Sequence, residues 1–197
     1  MIIAIVNTKA GVGKQLSVFL GLAAKWRGFS ARISDLDRQG SCFSWAREAT
    51  DREKGFPFAV ISATATDIER LRFPEGVISI MDTPPGSPRE IQSALDVADF
   101  IIIPTSPKPQ DVARIIPTLD AIGDKPVGVL LTHVGFNSKL YIEARETIEN
   151  WGVETFRSCI PEKVDIARGY GRVLQKLYGY DDVLSEIVNA FGDEDEL

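Results

Sequence analysis

The sequence has few of the residues that build metal centres and disulfide frameworks. It contains one histidine, His133, and two cysteines, Cys42 and Cys159, which form no CxxC pair. A single histidine excludes a multi-histidine metal catalyst, and two separated cysteines are typical of ordinary thiols in a reducing compartment. No apolar run approaches the roughly 20 residues that span a bilayer, and the opening MIIAIV lacks the basic start and cleavage site of a secretory signal. We therefore expect a soluble, cytoplasmic protein.

Positive charge is missing from the end of the chain. All 22 lysines and arginines lie in residues 1–176, whereas residues 177–197 carry seven acids and no base. The remaining body holds 22 bases against 21 acids, although the whole chain has a net charge of −6. The negative net charge of the whole chain is therefore compatible with a basic surface within residues 1–176.

Length and hydrophobic pattern indicate one α/β domain. At 197 residues the chain is long enough for one well-buried core. Apolar runs predict buried strands at 2–6, 31–34, 58–61, 77–81, 100–104, 127–132 and 155–160. Helical patterns alternate with them at 14–26, 41–49, 66–72, 88–97, 109–121, 138–150, 163–176 and 181–191. We predict a three-layer, doubly wound, mostly parallel sheet over residues 1–192, followed by an acidic frayed tail at 193–197.

A glycine-rich loop, KAGVGK (9–14), follows the first predicted strand. Gly11 and Gly13 allow backbone N–H groups to turn toward phosphate oxygens, and the positive end of the next helix faces the same point. Lys14 would neutralise the charge of the phosphates. A buried strand before the loop and an amphipathic helix after it are the context that a phosphate-binding loop requires.

This loop resembles the KGGxGK[ST] motif of the ParA/MinD family of deviant Walker ATPases. Further segments resemble the family's later motifs in the same order. ISDLDRQGSCFSW (33–45) resembles the second motif, and VISIMDTPPG (77–86) resembles the Walker B strand with its switch. FIIIPTSPKPQDVA (100–113) resembles the strand and loop where two subunits approach, and CIPEKVDIARGYG (159–171) resembles the segment that closes over the base. The resemblance extends from residue 1 to about residue 190, and the short length resembles the small plasmid-partition ATPases.

The resemblance implies a P-loop NTPase fold, with ATP and Mg²⁺ as cofactors. It implies that Lys9 reaches the partner's phosphates in a nucleotide-sandwich dimer and that Asp37 positions or activates the attacking water. The implied catalytic residues are Lys9, Lys14 and Asp37, and the implied metal-site residues are Gln15, Asp35 and Asp82. The implied nucleotide-binding residues are Lys9, Ala10, Gly11, Val12, Gly13, Lys14, Gln15, Leu16, Thr132, His133, Pro161 and Glu162.

Two of these assignments have structural alternatives. Asp35 and Asp37, at i and i+2, also fit an acidic turn that caps the following helix. His133 also fits a half-exposed structural histidine. Beside Lys9 and Lys14, the sequence favours the functional interpretation of the two aspartates, whereas His133 fits a base-pocket residue and a structural histidine equally well.

The loop departs from the family pattern at Gln15. The family has serine or threonine there, whose hydroxyl binds Mg²⁺, and Leu16 follows where a second threonine is frequent. The carbonyl oxygen of Gln15 would have to fold back to reach the same octahedral position, or water would take its place. Backbone cradling of phosphate does not use this side chain. We therefore expect nucleotide binding to survive better than hydrolysis.

The resemblance implies a DNA-partition ATPase. Its expected partners are a second copy in an ATP-dependent homodimer, non-specific DNA, and a ParB-like centromere-binding protein, with association to the nucleoid when ATP is bound. The predicted DNA-binding residues are Arg157, Lys163, Arg168, Arg172 and Lys176. Spacing of four places the last three on one helical face if the helix continues through Gly169 and Gly171, and the alternative is a solvated charged face.

Two other functions fit less well. A MinD-like ATPase that cycles on membranes needs a basic, amphipathic terminal helix, whereas EIVNAFGDEDEL (186–197) ends in acids. We therefore expect no membrane partner. An iron-sulfur reductase of the same fold would need a cysteine pair, and Lys9 argues against a carboxylation-type synthetase.

Overall fold

The computed structural model describes residues 1–6, 13–52, 54–135 and 137–191, and for residues 13 and 14 it describes the backbone. Within these ranges the apolar runs form six strands. They are β1 Ile2–Ile5, β2 Ser30–Asp35, β3 Ala59–Ser62, β4 Val77–Asp82, β5 Phe100–Thr105 and β6 Val127–Leu131.

Helices follow most of the strands. They are α1 Gly13–Trp26, α2 Ser41–Arg52, α3 Ala65–Arg70, α4 Pro88–Val97, α5 Pro109–Val112, α6 Ile115–Ile122, α7 Lys139–Asn150, α8 Val164–Arg168 and α9 Tyr180–Phe191. Over the part of the chain that the structure describes, none of them has the length and apolar character that crossing a bilayer requires.

The sheet is entirely parallel, in the order β3-β2-β4-β1-β5-β6. The register aligns the carboxyl ends of the central strands, because Asp82 pairs with Ile5 on one side and with Asp35 on the other. Ligands of open α/β sheets bind beyond this edge. The predicted doubly wound α/β architecture is confirmed.

Helices cover both faces of the sheet. On one face Phe19 of α1, Trp45 of α2 and Tyr180 of α9 join a buried apolar cluster. On the other, Leu95 of α4 and Ile148 of α7 join a second cluster. Two buried faces explain why the strands are continuously apolar rather than alternating.

The seventh predicted strand, at 155–160, is wrong. This segment forms no continuous ladder with β6: Val129 and Thr155 make one isolated bridge, and Val134 and Pro161 make another just beyond both segments. Between the bridges, the carboxylate of Glu186 in α9 accepts hydrogen bonds from the amides of Arg157 at 2.8 Å and Ser158 at 2.7 Å. Those amides are therefore directed away from the ladder that a strand needs.

Two predicted helices are shorter than expected. The pattern at 163–176 predicted one helix, but α8 ends at Arg168, and Gly171 has φ +73°, in the left-handed region. The pattern at 109–121 divides into α5 and α6. Pro117 lies in the first turn of α6, where its missing amide hydrogen has no partner to lose.

Candidate functional site

The phosphate-binding loop leads from β1 into α1. Lys9, Ala10, Gly11 and Val12 lie outside the described residues, and Gly13 and Lys14 begin the helix. The roles inferred for these residues therefore stay predictions. The side chain of Leu16, predicted to bind nucleotide, is fully buried in the apolar core, so only its backbone is placed to meet a ligand.

Asp82 lies at the carboxyl end of β4 and is 1% exposed. Its Oδ1 accepts a hydrogen bond from the Ser17 hydroxyl of α1 at 3.1 Å. Its Oδ2 accepts one from the Cys42 thiol of α2 at 3.4 Å. Burial, followed by the charges of Asp82 and Asp35, raises the pKa of the Cys42 thiol well above its usual value. The thiol therefore stays protonated and able to donate.

Asp35 lies beside Asp82 at the carboxyl end of β2 and is fully buried. Its Oδ2 accepts hydrogen bonds from the amides of Cys42 at 2.9 Å and Phe43 at 3.0 Å, in the first turn of α2. Its Oδ1 accepts one from the Asp37 amide at 3.1 Å. Desolvation raises the pKa of Asp35, although the three amides oppose the shift. Asp35 thus caps α2, as the structural alternative predicted, and its role near a metal stays a prediction.

Asp37 is more accessible than Asp35. It is partly exposed, and its Oδ1 accepts a hydrogen bond from the Gln39 amide at 3.0 Å. Its carbonyl accepts one from Gly40 at 2.7 Å, and Gly40 has φ +58°. This tight turn places a carboxylate that water can reach directly after β2. The predicted catalytic role of Asp37 is consistent with this placement and stays a prediction.

The segment after Asp82 is tied to the neighbouring strand. The amide of Thr83 donates to the carbonyl of Ile5 at 3.2 Å, and the Thr83 hydroxyl donates to the same oxygen at 2.8 Å. The start of the predicted switch therefore stays in contact with the last residue of β1, the strand that feeds the phosphate-binding loop.

One cavity of about 230 Å³ is lined by four of the residues implied to bind nucleotide, Thr132, His133, Pro161 and Glu162. An isolated bridge between Val134 and Pro161 joins the chain after β6 to the chain before α8. The hydroxyl of Thr132 donates a hydrogen bond to the carbonyl of Thr105, at the end of β5, at 3.2 Å. Polar and aromatic residues around the cavity include Thr132, His133, Glu162, Lys163, Gln15 and Tyr180. The cavity is therefore a suitable place for a base, although base binding itself stays a prediction.

A larger groove, of about 510 Å³, lies at the other end of the sheet. Phe100 and Val127, the first residues of β5 and β6, line it together with Phe156 and Phe191. It is far from the carboxyl edge that holds Asp35 and Asp82. Its size alone therefore does not make it the functional site.

The predicted DNA-binding residues are exposed, but they do not form the expected helical face. Lys163 precedes α8 and Arg168 ends it. Arg172 and Lys176 follow in irregular structure, because the chain turns at Gly171 instead of continuing the helix. The prediction of one face carrying Arg168, Arg172 and Lys176 is therefore wrong, while DNA binding by these residues stays a prediction.

The carboxylates at the carboxyl edge of the sheet suit a magnesium ion whose other ligands come mainly from a nucleotide and water. In the described ranges there is no group of three or more His, Cys, Asp or Glu side chains that would hold a metal ion unaided. Mg²⁺ is commonly bound through one or two carboxylates together with substrate phosphates and water. Asp82, oriented by Ser17 at the edge where α1 begins, meets that description.

Sequence reasoning missed Ser17 and Cys42. Ser17 is a fully buried hydroxyl in the otherwise apolar or small stretch LSVFLGLAA (16–24). That mismatch is a usable signal, because a buried polar group needs a partner. Cys42 gives no comparable signal, since buried cysteine is common in apolar cores.

Comparison with known proteins agrees with this geometry. The family model of the CobQ/CobB/MinD/ParA nucleotide binding domain matches residues 3–175. The chain is also 32% identical over 169 residues to maintenance of carboxysome distribution protein A from Gloeobacter kilaueensis. That alignment covers 81% of this chain and 76% of the relative.

Two solved structures have the same fold. One is a plasmid partition protein from Borrelia burgdorferi bound to AMPPNP, with TM-score 0.72, 19% identity, and coverage of 96% of this chain and 97% of that one. The other is the septum site-determining protein MinD with Mg-ADP from Pyrococcus horikoshii. Its TM-score is 0.71 at 16% identity, with 100% of this chain and 99% of that chain covered.

Proposed function

Because this chain belongs to the CobQ/CobB/MinD/ParA nucleotide-binding family, we propose that it is an ATPase that uses nucleotide-dependent dimerisation to position a large cargo. One observation carries the proposal. The start of α1, Asp82 and the cavity around Thr132 and Pro161 all lie at the carboxyl edge of one parallel sheet. Phosphates at the helix start and a base in the cavity would then belong to the same ligand.

The phosphate end of the site depends on α1 and Asp82. Backbone amides at the amino end of α1 and the side chain of Lys14 would hold the phosphates. A bound magnesium ion would neutralise charge that develops on them. Asp82 would accept a hydrogen bond from a water of that ion, while Ser17 and Cys42 fix the orientation of its carboxylate.

Hydrolysis would require groups from both copies of the chain. Asp37, partly exposed just after β2, would orient the attacking water. Lys9 would contribute its positive charge to the phosphates bound by the partner. With Gln15 at the position of the hydroxyl, turnover would be slower than in a chain with threonine there, whereas binding would be retained.

The cargo is proposed from the relatives. For a DNA cargo, dimers would bind DNA non-specifically and a ParB-like centromere-binding protein would trigger hydrolysis. The plasmid partition protein with the same fold supports this choice. A protein body is the second candidate, because the 32% identical relative is named for carboxysome distribution.

The test measures the mass of the protein by light scattering with ATP or ADP, together with phosphate release. We expect a dimer only with ATP. Lys9→Ala should keep nucleotide binding but lose the ATP-dependent dimer and lower turnover on the order of 100-fold, the effect of removing one group that stabilises transition-state charge. Lys25→Ala, at the other end of α1, is the matched control and should behave like the unmodified chain.

A wild-type chain that binds no nucleotide would refute the proposal. Equal dimerisation and turnover in Lys9→Ala and Lys25→Ala would also count against it, because Lys9 would then have no role across the dimer.

A further inference from the structure

Helix α1 presents two different side chains to two different parts of the site. Residues two positions apart on an α-helix point about 200° apart around its axis. Ser17 is fully buried and its hydroxyl lies 3.1 Å from Oδ1 of Asp82. Gln15 is partly exposed and lines the cavity shared with Thr132 and Pro161.

The residue one turn after Gln15 supports this orientation. Phe19 stacks on Tyr180 of α9, with ring centroids 4.5 Å apart and an interplanar angle of 16°. Tyr180 lines the same cavity as Gln15. Residues four apart share a helix face, so the face of α1 that carries Gln15 and Phe19 is directed at the cavity and α9.

The hydroxyl that contacts Asp82 therefore comes from position 17. Asp82 has its Oδ1 bonded to Ser17 and its Oδ2 bonded to Cys42. The orientation of Asp82 therefore does not depend on Gln15, because Ser17 contacts Asp82 from the opposite face of the helix.

We propose that Gln15 is a specificity-determining residue of the nucleotide cavity and not a magnesium ligand, and that Ser17 is the positioning residue of Asp82. This rests on the proposed nucleotide-binding function. A glutamine side chain offers one acceptor and two donors. It pairs in bidentate fashion with the amino group and ring nitrogen of adenine. Guanine presents two acceptors on the equivalent edge, so Gln15 favours adenine nucleotides.

The experiment is equilibrium binding of ADP and GDP by calorimetry, with Mg²⁺ titrated separately. Diphosphates keep hydrolysis out of the measurement. The wild type should prefer ADP. Gln15→Leu, which removes the hydrogen-bonding groups at similar size, should reduce the ratio of ADP to GDP affinity roughly tenfold. The Mg²⁺ concentration that half-saturates the ADP complex should not change.

Ser17→Ala is the matched variant on the other face of α1. It should leave the ADP to GDP ratio unchanged and raise the Mg²⁺ concentration required. Gln15→Thr, which restores the family's hydroxyl, should lose the adenine preference as Gln15→Leu does. Circular dichroism and thermal unfolding confirm that each variant is folded.

The possible results distinguish a failure of the proposed nucleotide-binding function from a failure of the role assigned to Gln15. A wild type that binds neither ADP nor GDP refutes the proposed function. A wild type that binds both equally, or Gln15→Leu with an unchanged ratio, overturns the assignment of Gln15 alone. A shift of the Mg²⁺ requirement in Gln15→Leu also overturns it, because Gln15 would then serve the metal.

Discussion

Two aspartates that accept hydrogen bonds at the amino ends of helices have pKa shifts of opposite sign, and burial explains the difference. Asp35 caps α2 from inside the protein, where desolvation raises its pKa above the ordinary 3.8. Asp67 belongs to the capping box of α3 at the surface, where hydrogen bonds from Thr64 lower its pKa below 3.8. The same chemical group therefore contributes to stability with opposite dependence on pH.

For Asp35 the raised pKa means that the unfolded chain ionises more readily than the folded one. Its contribution to stability is largest below pH 3.8 and falls as the pH rises through the folded-state pKa. We expect the difference in free energy of unfolding between wild type and Asp35→Asn to decrease over that interval and then level off. Urea unfolding of both proteins between pH 3 and pH 8, in the presence of a chelator, measures this difference at each pH.

Asp67→Asn is the control with the opposite sign. The lowered pKa of Asp67 gives stability that is present above pH 3.8 and lost as the pH falls through the folded-state pKa. The same titration should therefore show the advantage of wild type over Asp67→Asn growing with pH. Parallel curves for the two variants would contradict the assignment of the shifts to burial and hydrogen bonding.

At the scale of elements, the turn after α8 depends on Gly171. Its φ is +73°, and a Cβ there would lie 2.7 Å from Oε2 of Glu48 and 3.1 Å from the Glu48 Cβ in α2. The next residue is also tied to α2, because the indole of Trp45 donates to the carbonyl of Arg172 at 3.0 Å. The left-handed turn thus packs the chain against α2.

We expect Gly171→Ala to lower the free energy of unfolding by about 2 kcal/mol, through a strained backbone and the crowded contact. Gly76→Ala is the matched control, since Gly76 has φ +70° but no atom within 4 Å of an added Cβ. It should cost about 1 kcal/mol from the backbone alone. Chemical denaturation measures both, and equal losses would show that the contact with Glu48 has no effect.

The elements also show how far sequence reasoning extends. Six strands were predicted correctly. Four of them, β1, β4, β5 and β6, are almost wholly buried, which leaves a continuous apolar run, whereas the edge strand β3 is largely exposed. The seventh failed because Glu186, far along the chain, binds the amides of Arg157 and Ser158. In the candidate site, the apolar run before Asp82 and the TPPG segment after it predicted the position of Asp82 at the end of a strand. The contact of Cys42 with Asp82 arises only when α2 packs on the sheet, and no local pattern encodes it.

For the whole molecule, DNA binding is predicted to depend on an irregular basic surface instead of one helix face. With ATP, binding to random duplex DNA should weaken as salt increases, because phosphate contacts release counterions. Replacing Arg168, Arg172 and Lys176 together by alanine should reduce the slope of log affinity against log salt by up to about 3. Fluorescence anisotropy at several salt concentrations gives this slope.

The matched control replaces three exposed basic residues elsewhere, Arg70, Arg72 and Lys139. The slope should then change little. If both triple variants weaken binding equally, the interaction reflects overall charge, and the surface around α8 is not the DNA-binding site.

The failed seventh strand has a consequence for assembly. The segment that replaces it bonds along the outer side of β6, with Val129 N to Glu154 O at 2.9 Å, Phe156 N to Val129 O at 3.0 Å and Ile160 N to Leu131 O at 2.9 Å. These bonds occupy backbone groups that an added strand would need. At the other edge of the sheet, β3 has four residues, so it offers few backbone groups for pairing with an added strand. Both edges of the sheet are thereby poor templates for open-ended, amyloid-like addition of strands from other copies of this chain.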